Sequence, residues 1–563
     1  MKFNLLIIIC LSLFHPLLAE NYLLNGGQKS TIRYKLIQDI EPTSETMTVN
    51  ISFVIPQTFK SPTYNQTIKD LNISFSKNPD DTKKITDENQ NQIIQYTWNQ
   101  PKTPFKAEIA FNAENYIQLK AITSSDPFPP DQLPADIQRY IQGTNQVPVD
   151  NTKIKQKASE LVRNSKTQMD AVQKIFIWII DHMHYVLTPD AYDALFSFQS
   201  GKGNCQNYSH LAAALLRASG IPVRIVNGIT LKEPYNIKLG NQILTLNMAQ
   251  GRHSWIEVWF PSLGWMPFDP QQTELFVSNR FIRVEVGLDN NDTANDGLVR
   301  WTRKKGSTKN LAFEEAIESD FLQDAIDLSG KKLEYGPRKL LLQPNIQAKF
   351  SPVEKPKKPE PKPVASREKE PNKSKLVNPF NFGNLEFPEG INFAFSREQS
   401  AEKGGEIQEL KKNFLVETAE YVTSNQQFCQ IFILDRVLLL QSIDLALQRF
   451  GGSGQVWLEL RENVNGLPGE VAAKSKPVDL NRIKAFQGYF WVGFDFKDQG
   501  LILTPDHYWI SMNYSGSPII NWFYSYGKPV GPIDGTRYKF LTESGWNKTV
   551  GFEFNYRVTG LVE

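Results

Sequence analysis

Residues 203–224 read GNCQNYSHLAAALLRASGIPVR, and this stretch decides the fold. An alanine- and leucine-rich run follows Cys205 and is terminated by Gly220 and Pro222, as helices commonly are. Cys205 is therefore predicted at a helix N-terminus. Free backbone amides and the helix dipole favour a thiolate at such a position, which suits a nucleophile. The alternative is that a lone cysteine is a small, buried apolar residue.

A second stretch, HSWIEVWFPSLGWMPFD at residues 253–269, predicts a β-hairpin. Apolar and polar residues alternate from His253, a Pro-Ser-Leu-Gly turn follows, and the second strand returns to Asp269. A turn centred just after Ser262 would set Asp269 opposite Ile256. A hydrogen bond between the histidine and the aspartate then requires a bulge or a diagonal contact. The sequence therefore predicts the two side chains as neighbours.

Cys205, His253 and Asp269 supply the three parts of nucleophilic acyl transfer. A thiolate needs an imidazole that holds its proton and returns it to the leaving amine. The imidazole in turn needs a carboxylate or amide that fixes its tautomer and orientation. We therefore predict Cys205 as the nucleophile, His253 as the general base and then acid, and Asp269 as the orienting carboxylate.

The order and surroundings of these residues resemble the transglutaminase-like superfamily, whose papain-like core places a cysteine at a helix start and a histidine and an aspartate on the facing sheet. The motifs that carry the resemblance are GNC at 203–205, LLRASGIPVR at 215–224, HSWIEVW at 253–259 and GWMPFDP at 264–270. An amphipathic helix from Met169 to Met183 also matches, so the resemblance extends over roughly residues 150–275.

The second donor for the oxyanion is less clear from the sequence. Gln199, six residues before the nucleophile, has the spacing of the oxyanion glutamine in papain-like enzymes, but it could equally be a solvated loop residue. The sequence departs from the family at Asn207, where many members carry Asp or another polar residue, and at Ser209, where Ala is common. Neither departure removes a residue of the triad.

No cofactor or metal ion is predicted. His182 and His184 have an i, i+2 spacing near a helix end, so they point to different faces and cannot chelate one ion. The sequence has no His-Glu-x-x-His motif and no paired cysteines. The glycine clusters near the C-terminus, at 451–454 and 466–469, do not precede helices and fit turns better than phosphate loops. His210 is predicted to pack or cap rather than to act in catalysis.

Residues 1–19 have the three parts of a secretory signal peptide. Lys2 is followed by an apolar run from Leu5 to Phe14 and by a leader end at Ala19. We therefore expect a secreted or periplasmic protein. The apolar run is too short to span a bilayer, and no other stretch predicts a transmembrane segment.

Charge and cysteine content exclude further classes of protein. Of 62 basic residues, Lys2 belongs to the predicted signal, which leaves 61 against 60 acidic residues. This balance lacks the positive charge of a nucleic-acid-binding protein. After cleavage Cys205 and Cys429 are the remaining cysteines, which is too few for a disulfide framework.

Composition predicts a multi-domain α+β protein. Residues 20–125 alternate β-like runs with turns and predict an N-terminal β-sandwich, and residues 126–343 hold the transglutaminase-like core and a C-terminal extension. Residues 344–405 predict a linker, with seven prolines and eight lysines in its first 32 residues. Residues 406–563 predict a second β-sandwich. Its motifs NGLPG at 465–469, LTP at 503–505 and YWI at 508–510, with Trp546, are similar to those of jelly-roll modules in secreted bacterial proteins. This resemblance implies adhesion or positioning, with glycan or the cell envelope as a possible partner.

The function predicted from these features is an exported cysteine enzyme that attacks the carboxamide carbon of a protein or peptide through a thioester. Hydrolysis is favoured over amine cross-linking because water is abundant outside the cell and no acidic amine-binding patch is evident. The alternative is a non-catalytic surface or adhesion protein that uses the core as a scaffold. A complete triad argues against that alternative.

Overall fold

A computed structural model of the chain describes residues 21–563 with gaps. The gaps fall at residues 187–188, 241, 247, 249, 272–273, 308, 334–340, 352–372, 384–393, 404–405, 418, 424–425, 485–489, 526–535, 543–544, 547 and 551–552. The predicted signal peptide lies outside the described residues, as does much of the Pro/Lys-rich segment. Among the helices that are described, none combines the length and apolar character needed to cross a membrane.

Strands dominate the described residues. The first part of the chain contains β1 (Asn21–Glu41), β2 (Thr46–Ile55), β3 (Phe59–Lys60), β4 (Tyr64–Phe75), β5 (Asp81–Thr86), β6 (Gln92–Asn99), β7 (Phe105–Gln118) and β8 (Ile122–Thr123). The middle part contains α1 (Thr152–Leu161), α2 (Gln168–His182), β9 (His184–Tyr185), α3 (Ala194–Ser200), β10 (Lys202–Gly203), α4 (Cys205–Ala218), β11 (Val223–Thr230), β12 (Tyr235–Leu239), β13 (Gln242–Leu246), β14 (Gln250–Phe260), β15 (Gly264–Phe268) and β16 (Phe281–Gly287).

The rest of the chain contains strands and short 3-10 turns. The strands are β17 (Leu298–Lys304), β18 (Ala312–Leu333), β19 (Leu341–Pro344), β20 (Ile346–Gln347), β21 (Asn378–Gly383), β22 (Ala394–Lys403), β23 (Glu406–Glu417), β24 (Ala419–Tyr421), β25 (Gln426–Leu434), β26 (Leu438–Gly451), β27 (Gly454–Val464), β28 (Leu467–Lys474), β29 (Val478–Asp479), β30 (Phe490–Asp495), β31 (Ile502–Leu503), β32 (Asp506–Gly516), β33 (Ile519–Ser525), β34 (Thr536–Phe540), β35 (Lys548–Val550), β36 (Glu553–Phe554) and β37 (Tyr556–Val562). Three of them, β20, β21 and β22, lie inside the predicted linker of residues 344–405.

Two sheets enclose the core of the N-terminal part, which includes Ile32, Val49 and Trp98. One sheet places β1 between β7 and β18, and the other places β2 between β6 and β17. Because β17 and β18 follow the middle part in the sequence, these sheets extend beyond the predicted segment 20–125. A strand as long as β1, with 21 residues, would leave a long open edge without the 22-residue β18 beside it.

The helices of the middle part cover a sheet with the order β16-β11-β14-β15. Helix α4 lies against β11 and β14, and α1 and α2 pack against α4. The buried apolar face of α2 follows the helical period and comprises Met169, Val172, Ile175, Phe176, Ile179 and Ile180. The start of α4 is thereby fixed relative to the hairpin of β14 and β15.

Two layers of strands share one core in the C-terminal part. One layer contains β25, β27, β28, β32 and β34 and continues through β35, β13 and β12 into the sheet of β18 and β1. The other layer contains β26, β30, β33 and β37. Phe432, Leu445, Leu458, Trp522 and Val558 are among their buried residues. In addition, β23 pairs with β17 and β14, and β35 pairs with β13. Strands beyond the predicted linker therefore complete sheets of the N-terminal and middle parts.

Buried ion pairs hold β14 against its neighbours. Arg252 donates to Asp296 at 2.7 Å and to both carboxylate oxygens of Glu315, at 2.8 and 3.0 Å. Glu257 accepts from Arg224 at 2.5 Å and from Arg283 at 2.7 Å. Since Glu315 lies in β18, the Arg252 pairs tie the middle sheet to the N-terminal sheets.

His210 is fully buried on α4 and joins this helix to two loops. Its Nδ1 lies 2.7 Å from the Tyr192 carbonyl oxygen, and its Nε2 accepts from the Asn290 N–H at 3.2 Å. These partners favour the neutral tautomer with its proton on Nδ1. Burial lowers the pKa of His210 to about 4. The contacts agree with the packing role predicted from the sequence.

Replacing Arg252 with Met should lower the free energy of unfolding by about 3–5 kcal/mol, because two buried carboxylates would lose their counter-charge. Arg33→Met is the matched control, since Arg33 lies in the neighbouring β1 and pairs at 3.9 Å with the exposed Asp320. The control should cost less than about 1 kcal/mol. Urea unfolding followed by circular dichroism measures both, and equal losses would contradict the stabilising role of the buried pairs.

Replacing His210 with Gln should make the free energy of unfolding depend less on pH in acid. The folded-state pKa of about 4 lies below the unfolded value of about 6.5. The neutral imidazole therefore contributes stability above pH 6.5 that is lost as the pH falls towards 4. Over this range the free energy of unfolding of the wild type should fall by about 3 kcal/mol more than that of the variant. Urea unfolding at several pH values measures the slope.

Leu211→Ala is the control for this prediction, because Leu211 is an adjacent buried residue without a titrating group. It should lower the free energy of unfolding at every pH and keep the slope of the wild type. Parallel slopes for the wild type and His210→Gln would show that His210 does not titrate on acid unfolding.

Candidate active site

The structure places Cys205 at the start of α4, as predicted, with Asn204 as the N-cap. The Asn204 side chain accepts from the Gln206 N–H at 3.1 Å, and the Asn207 side chain accepts from the Asn204 N–H at 3.2 Å. This reciprocal cap satisfies amides of the first turn without using the N–H of Cys205. The thiol is half-buried and forms no disulfide, so a substrate can reach it.

Asn207 supports the helix start, a role that the sequence analysis missed. It is fully buried, and its Nδ2 donates to the Ala191 carbonyl and to the Ser197 hydroxyl, both at 2.9 Å. A Cβ atom on Gly203 would lie 2.2 Å from that of Asn207, so this turn closes only with glycine there. The spacing Asn204-x-x-Asn207, which matches a capping box, is the sequence signal for this role.

His253 lies in β14, and Asp269 directly follows β15. The His253 Nε2 and the Asp269 Oδ2 are 2.7 Å apart, and the two side chains are 1% and 0% exposed. The other carboxylate oxygen of Asp269 accepts from the Gln271 N–H at 3.1 Å. The carboxylate is therefore fixed on both sides and can orient the imidazole.

The register of the hairpin differs by one residue from the predicted one. The strands pair as far as Gly264, whose φ of 70° ends a three-residue turn in place of the predicted four-residue turn. Continuing this register places Asp269 opposite Trp255. The ladder has no bulge, so the contact between His253 and Asp269 is diagonal.

Aromatic side chains surround the His253 imidazole. Trp255 stacks on it with ring centroids 6.0 Å apart, and Phe281 meets it edge-on at 5.5 Å. Gly228 is the β11 residue opposite His253, and a Cβ atom there would come 2.3 Å from the Trp255 ring. The glycine therefore leaves room for the indole, and the aromatic rings exclude water from one side of the imidazole.

The charges around His253 favour its protonated form. Burial disfavours an imidazolium, but Asp269 and Cys205 outweigh this cost and raise the pKa of His253 to about 9. Since Nε2 is bonded to Asp269, Nδ1 is the nitrogen that remains for the hydrogen bond with Cys205. A protonated histidine beside a cysteine is the arrangement that nucleophilic thiol chemistry uses. The structure thus brings together the three residues predicted as a triad.

Two tyrosines near this triad were not predicted as parts of the site. Tyr208, one turn along α4 from Cys205, and Tyr185 in β9 both lie within electrostatic reach of Asp269. Burial, and then nearby negative charge, raises the pKa of each hydroxyl. The i, i+3 spacing from Cys205 is a sequence signal for Tyr208. Tyr185 has no comparable signal, because its place depends on a strand pair.

No described contact brings Gln199 to the triad. Gln199 is exposed near the end of α3, and its oxyanion role stays a prediction. His182 stacks on Trp178 with ring centroids 4.3 Å apart, and its Nε2 lies 3.0 Å from the Phe198 carbonyl oxygen. The side chain of His184 is not described. Within the described residues, no group of three or more His, Cys, Asp or Glu side chains is arranged to hold a metal ion.

Comparison with known proteins gives one family and several distant relatives. The model of the transglutaminase-like superfamily matches residues 155–270. The uncharacterized protein YebA of Bacillus subtilis is 30% identical over 143 residues, which are 23% of this chain and 19% of that protein. A protein-glutamine gamma-glutamyltransferase of Pseudomonas aeruginosa is 25% identical over 191 residues, 33% of this chain and 26% of that protein. The chain thus spans about a fifth to a half of the length of its curated relatives.

One similar solved structure is a candidate cysteine protease from Cytophaga hutchinsonii, which is 17% identical in sequence and has a TM-score of 0.39. The match covers 55% of this chain and 100% of that chain. Another is the periplasmic domain of TgpA from Pseudomonas aeruginosa, with 17% identity, 43% and 89% coverage and a TM-score of 0.24. The family match itself spans α1 to β15 and includes Cys205, His253 and Asp269. Residues 155–270 therefore form a domain of the transglutaminase-like superfamily.

Proposed function

We propose that the protein is a cysteine-dependent acyl-transfer enzyme that attacks carboxamide carbons of proteins or peptides. The observation that carries the proposal is the pair of His253 and Asp269, bonded at 2.7 Å, beside a half-buried cysteine at a helix start. A purely structural cysteine needs no buried imidazole with a raised pKa at its side. The alternative, a non-catalytic scaffold, leaves this costly arrangement of buried charge unexplained.

In the first step, the Cys205 thiolate adds to the substrate carbonyl carbon. His253 then gives its Nδ1 proton to the leaving nitrogen as the C–N bond breaks, which leaves a thioester and a neutral imidazole. In the second step, His253 takes a proton from the acceptor as the acceptor attacks the thioester, and the Cys205 thiolate leaves. Asp269 stays bonded to Nε2 throughout and keeps Nδ1 directed at the thiol.

The acceptor decides between hydrolysis and cross-linking. We favour water, because it is abundant outside the cell and because the sequence contains no evident acidic patch for an amine. A primary amine is the second candidate, supported by the relative that is named a protein-glutamine gamma-glutamyltransferase.

The proposed location is outside the cytoplasm, in the secreted or periplasmic space, on the basis of the predicted signal peptide at residues 1–19. We propose residues 406–563 as a module that contacts glycan or another cell-envelope polymer and positions the enzyme. This role rests on the similarity of the tail's sequence to jelly-roll modules.

Replacing Cys205 with Ala should abolish product formation and preserve the fold, because alanine is tolerated at a helix start and no acyl acceptor remains. The measurement is mass spectrometry of a peptide library incubated with the full chain, with and without putrescine. New masses reveal the bond attacked and whether water or the amine accepts the acyl group. Cys429→Ala, which removes the buried cysteine of β25, is the control and should keep the activity. Products from Cys205→Ala would end the nucleophile assignment.

Thiol labelling should separate an activated Cys205 from an inert one. In the wild type, iodoacetamide should label Cys205 rapidly at pH 6, and His253→Gln or Asp269→Asn should slow this labelling at least tenfold. Cys429 is an internal control, since burial raises its pKa to about 12 and it should react only on unfolding. If the labelling rate of Cys205 does not depend on His253, the proposed ion pair between the Cys205 thiolate and the His253 imidazolium is excluded.

The pH dependence of amide turnover should follow His253. Its imidazolium is the proposed acid for the leaving amine, so turnover should fall as the pH rises through about 9 and this proton is lost. Labelling by iodoacetamide needs no acid and should not fall over the same range. A parallel fall in both rates would indicate unfolding rather than titration of the acid.

A further inference from the structure

The proposed reaction needs Cys205 and His253 at a fixed separation, although the two residues lie on different elements. Cys205 begins α4, and His253 lies in β14. A proton moves between a thiol and an imidazole only within hydrogen-bond reach, and a displacement of about 1 Å can slow a reaction about 100-fold. A segment that ties α4 to β14 would therefore affect the chemistry without contacting the substrate.

The loop of residues 288–293 contacts both elements, and α4 holds it at two points. Arg217, in the last turn of α4, donates from Nη2 to the Leu288 carbonyl oxygen at 2.7 Å. His210, further back on the same helix, accepts from the Asn290 N–H through its Nε2 at 3.2 Å. Both helix side chains are buried. The loop is thus attached to the helix whose first residue is the proposed nucleophile.

Two neighbouring strands hold the same loop from the side of the sheet. The Ser254 hydroxyl of β14 donates to Oδ1 of Asn290 at 3.1 Å, and Nδ2 of Asn227 in β11 donates to the Thr293 carbonyl oxygen at 2.6 Å. Ser254 and Asn227 lie opposite each other in the ladder of β11 and β14, and both are buried. Because Ser254 directly follows His253, its bond to the loop fixes the backbone that carries the imidazole.

Asn290 is the loop residue that bonds to both elements. Its backbone N–H reaches α4, its side-chain oxygen reaches β14, and its Nδ2 lies 3.4 Å from the Thr293 hydroxyl. The side chain is 8% exposed, so water does not readily replace these partners. Alanine at this position would break the bond to β14 and keep the bond to α4, because the backbone N–H remains.

We propose that Asn290 is a positioning residue that sets the separation of the Cys205 thiol and the His253 imidazole by tying α4 to β14. The inference rests on the proposed roles of Cys205 and His253 in acyl transfer. No covalent bond forms or breaks at Asn290. It acts through the alignment of Sγ with Nδ1, on which the proposed ion pair and the later proton transfer to the leaving nitrogen both depend.

The pH profile of Cys205 alkylation in the full-length protein tests this role. At pH 6, where burial keeps His210 neutral because its pKa is lowered to about 4, Asn290→Ala should slow labelling by iodoacetamide at least tenfold. At pH 10 a thiol with the ordinary pKa of about 8.5 is ionised without a partner, so the variant and the wild type should agree within about twofold. The absence of Cys429 labelling verifies that the variant is folded.

Ile256→Val is the matched control, and Ser254→Ala supplies a second variant. Ile256 is a buried residue of β14 that packs in the core beside α4, so the control loosens the same interface without touching the loop. It should label at the wild-type rate at both pH values. Ser254→Ala should slow labelling at pH 6 as well. Combined with Asn290→Ala, it should slow labelling no further, because both changes remove the same hydrogen bond.

Wild-type labelling of Asn290→Ala at pH 6 would overturn the inference, and so would an equal loss in Ile256→Val, which would assign the effect to the interface as a whole. Additive losses in the double variant would show that Asn290 does not act through Ser254. Failure of the proposed function gives a different result: His253→Gln would then label as fast as the wild type at pH 6, and the inference would fall with it. Slow labelling of His253→Gln with fast labelling of Asn290→Ala removes the inference alone.

Discussion

Neutralisation of buried charge on β14 constrains the rest of the structure. Arg252 and Glu257 both lie in the interior, where an unpaired charge is far more costly than in water. Their partners come from β11, β16, β18 and the loop before β17, so these segments have to converge on β14. His253 is adjacent to Arg252 and shares its fixed backbone. The position of the proposed base therefore depends on residues far outside the hairpin that carries it.

The charges at the site compensate one another in the same way. A buried imidazolium is unfavourable, but Asp269 on one nitrogen and Cys205 on the other offset its desolvation, which explains why the pKa of His253 rises to about 9 despite burial. The Cys205 side chain also lies at the N-terminus of α4, where amides and the helix dipole favour negative charge. The protonated form of His253 thus depends on both neighbours, and removing Cys205 or Asp269 would lower its pKa.

The sequence predicts the individual helix and hairpin of this site better than the contacts between segments that lie far apart in the chain. An alanine- and leucine-rich run that begins at Cys205 and ends at Gly220 identified α4 and its start. Alternation of apolar and polar residues identified the hairpin of β14 and β15. The register was wrong by one residue because the length of the turn depends on the φ angle of Gly264. The pairing of β1 with β18 and the contact of Arg252 with Glu315 join segments far apart in the chain, and an alternating pattern does not specify such partners. Tyr185 escaped prediction for the same reason, since its neighbour Gly203 follows in another strand.

The burial of His253 and Asp269 also bears on the proposed reaction. Asp269, Trp255 and Phe281 close the sides of His253 that face the interior, so the side of Cys205, which is half-exposed, is the one left for a substrate. In the proposed mechanism the leaving amine and the acceptor would therefore share one side of the imidazole, and the amine has to depart before the acceptor attacks the thioester. Water and an amine would compete for the same position, so the binding contacts beside the thiol, and not the enclosed imidazole, would select between them.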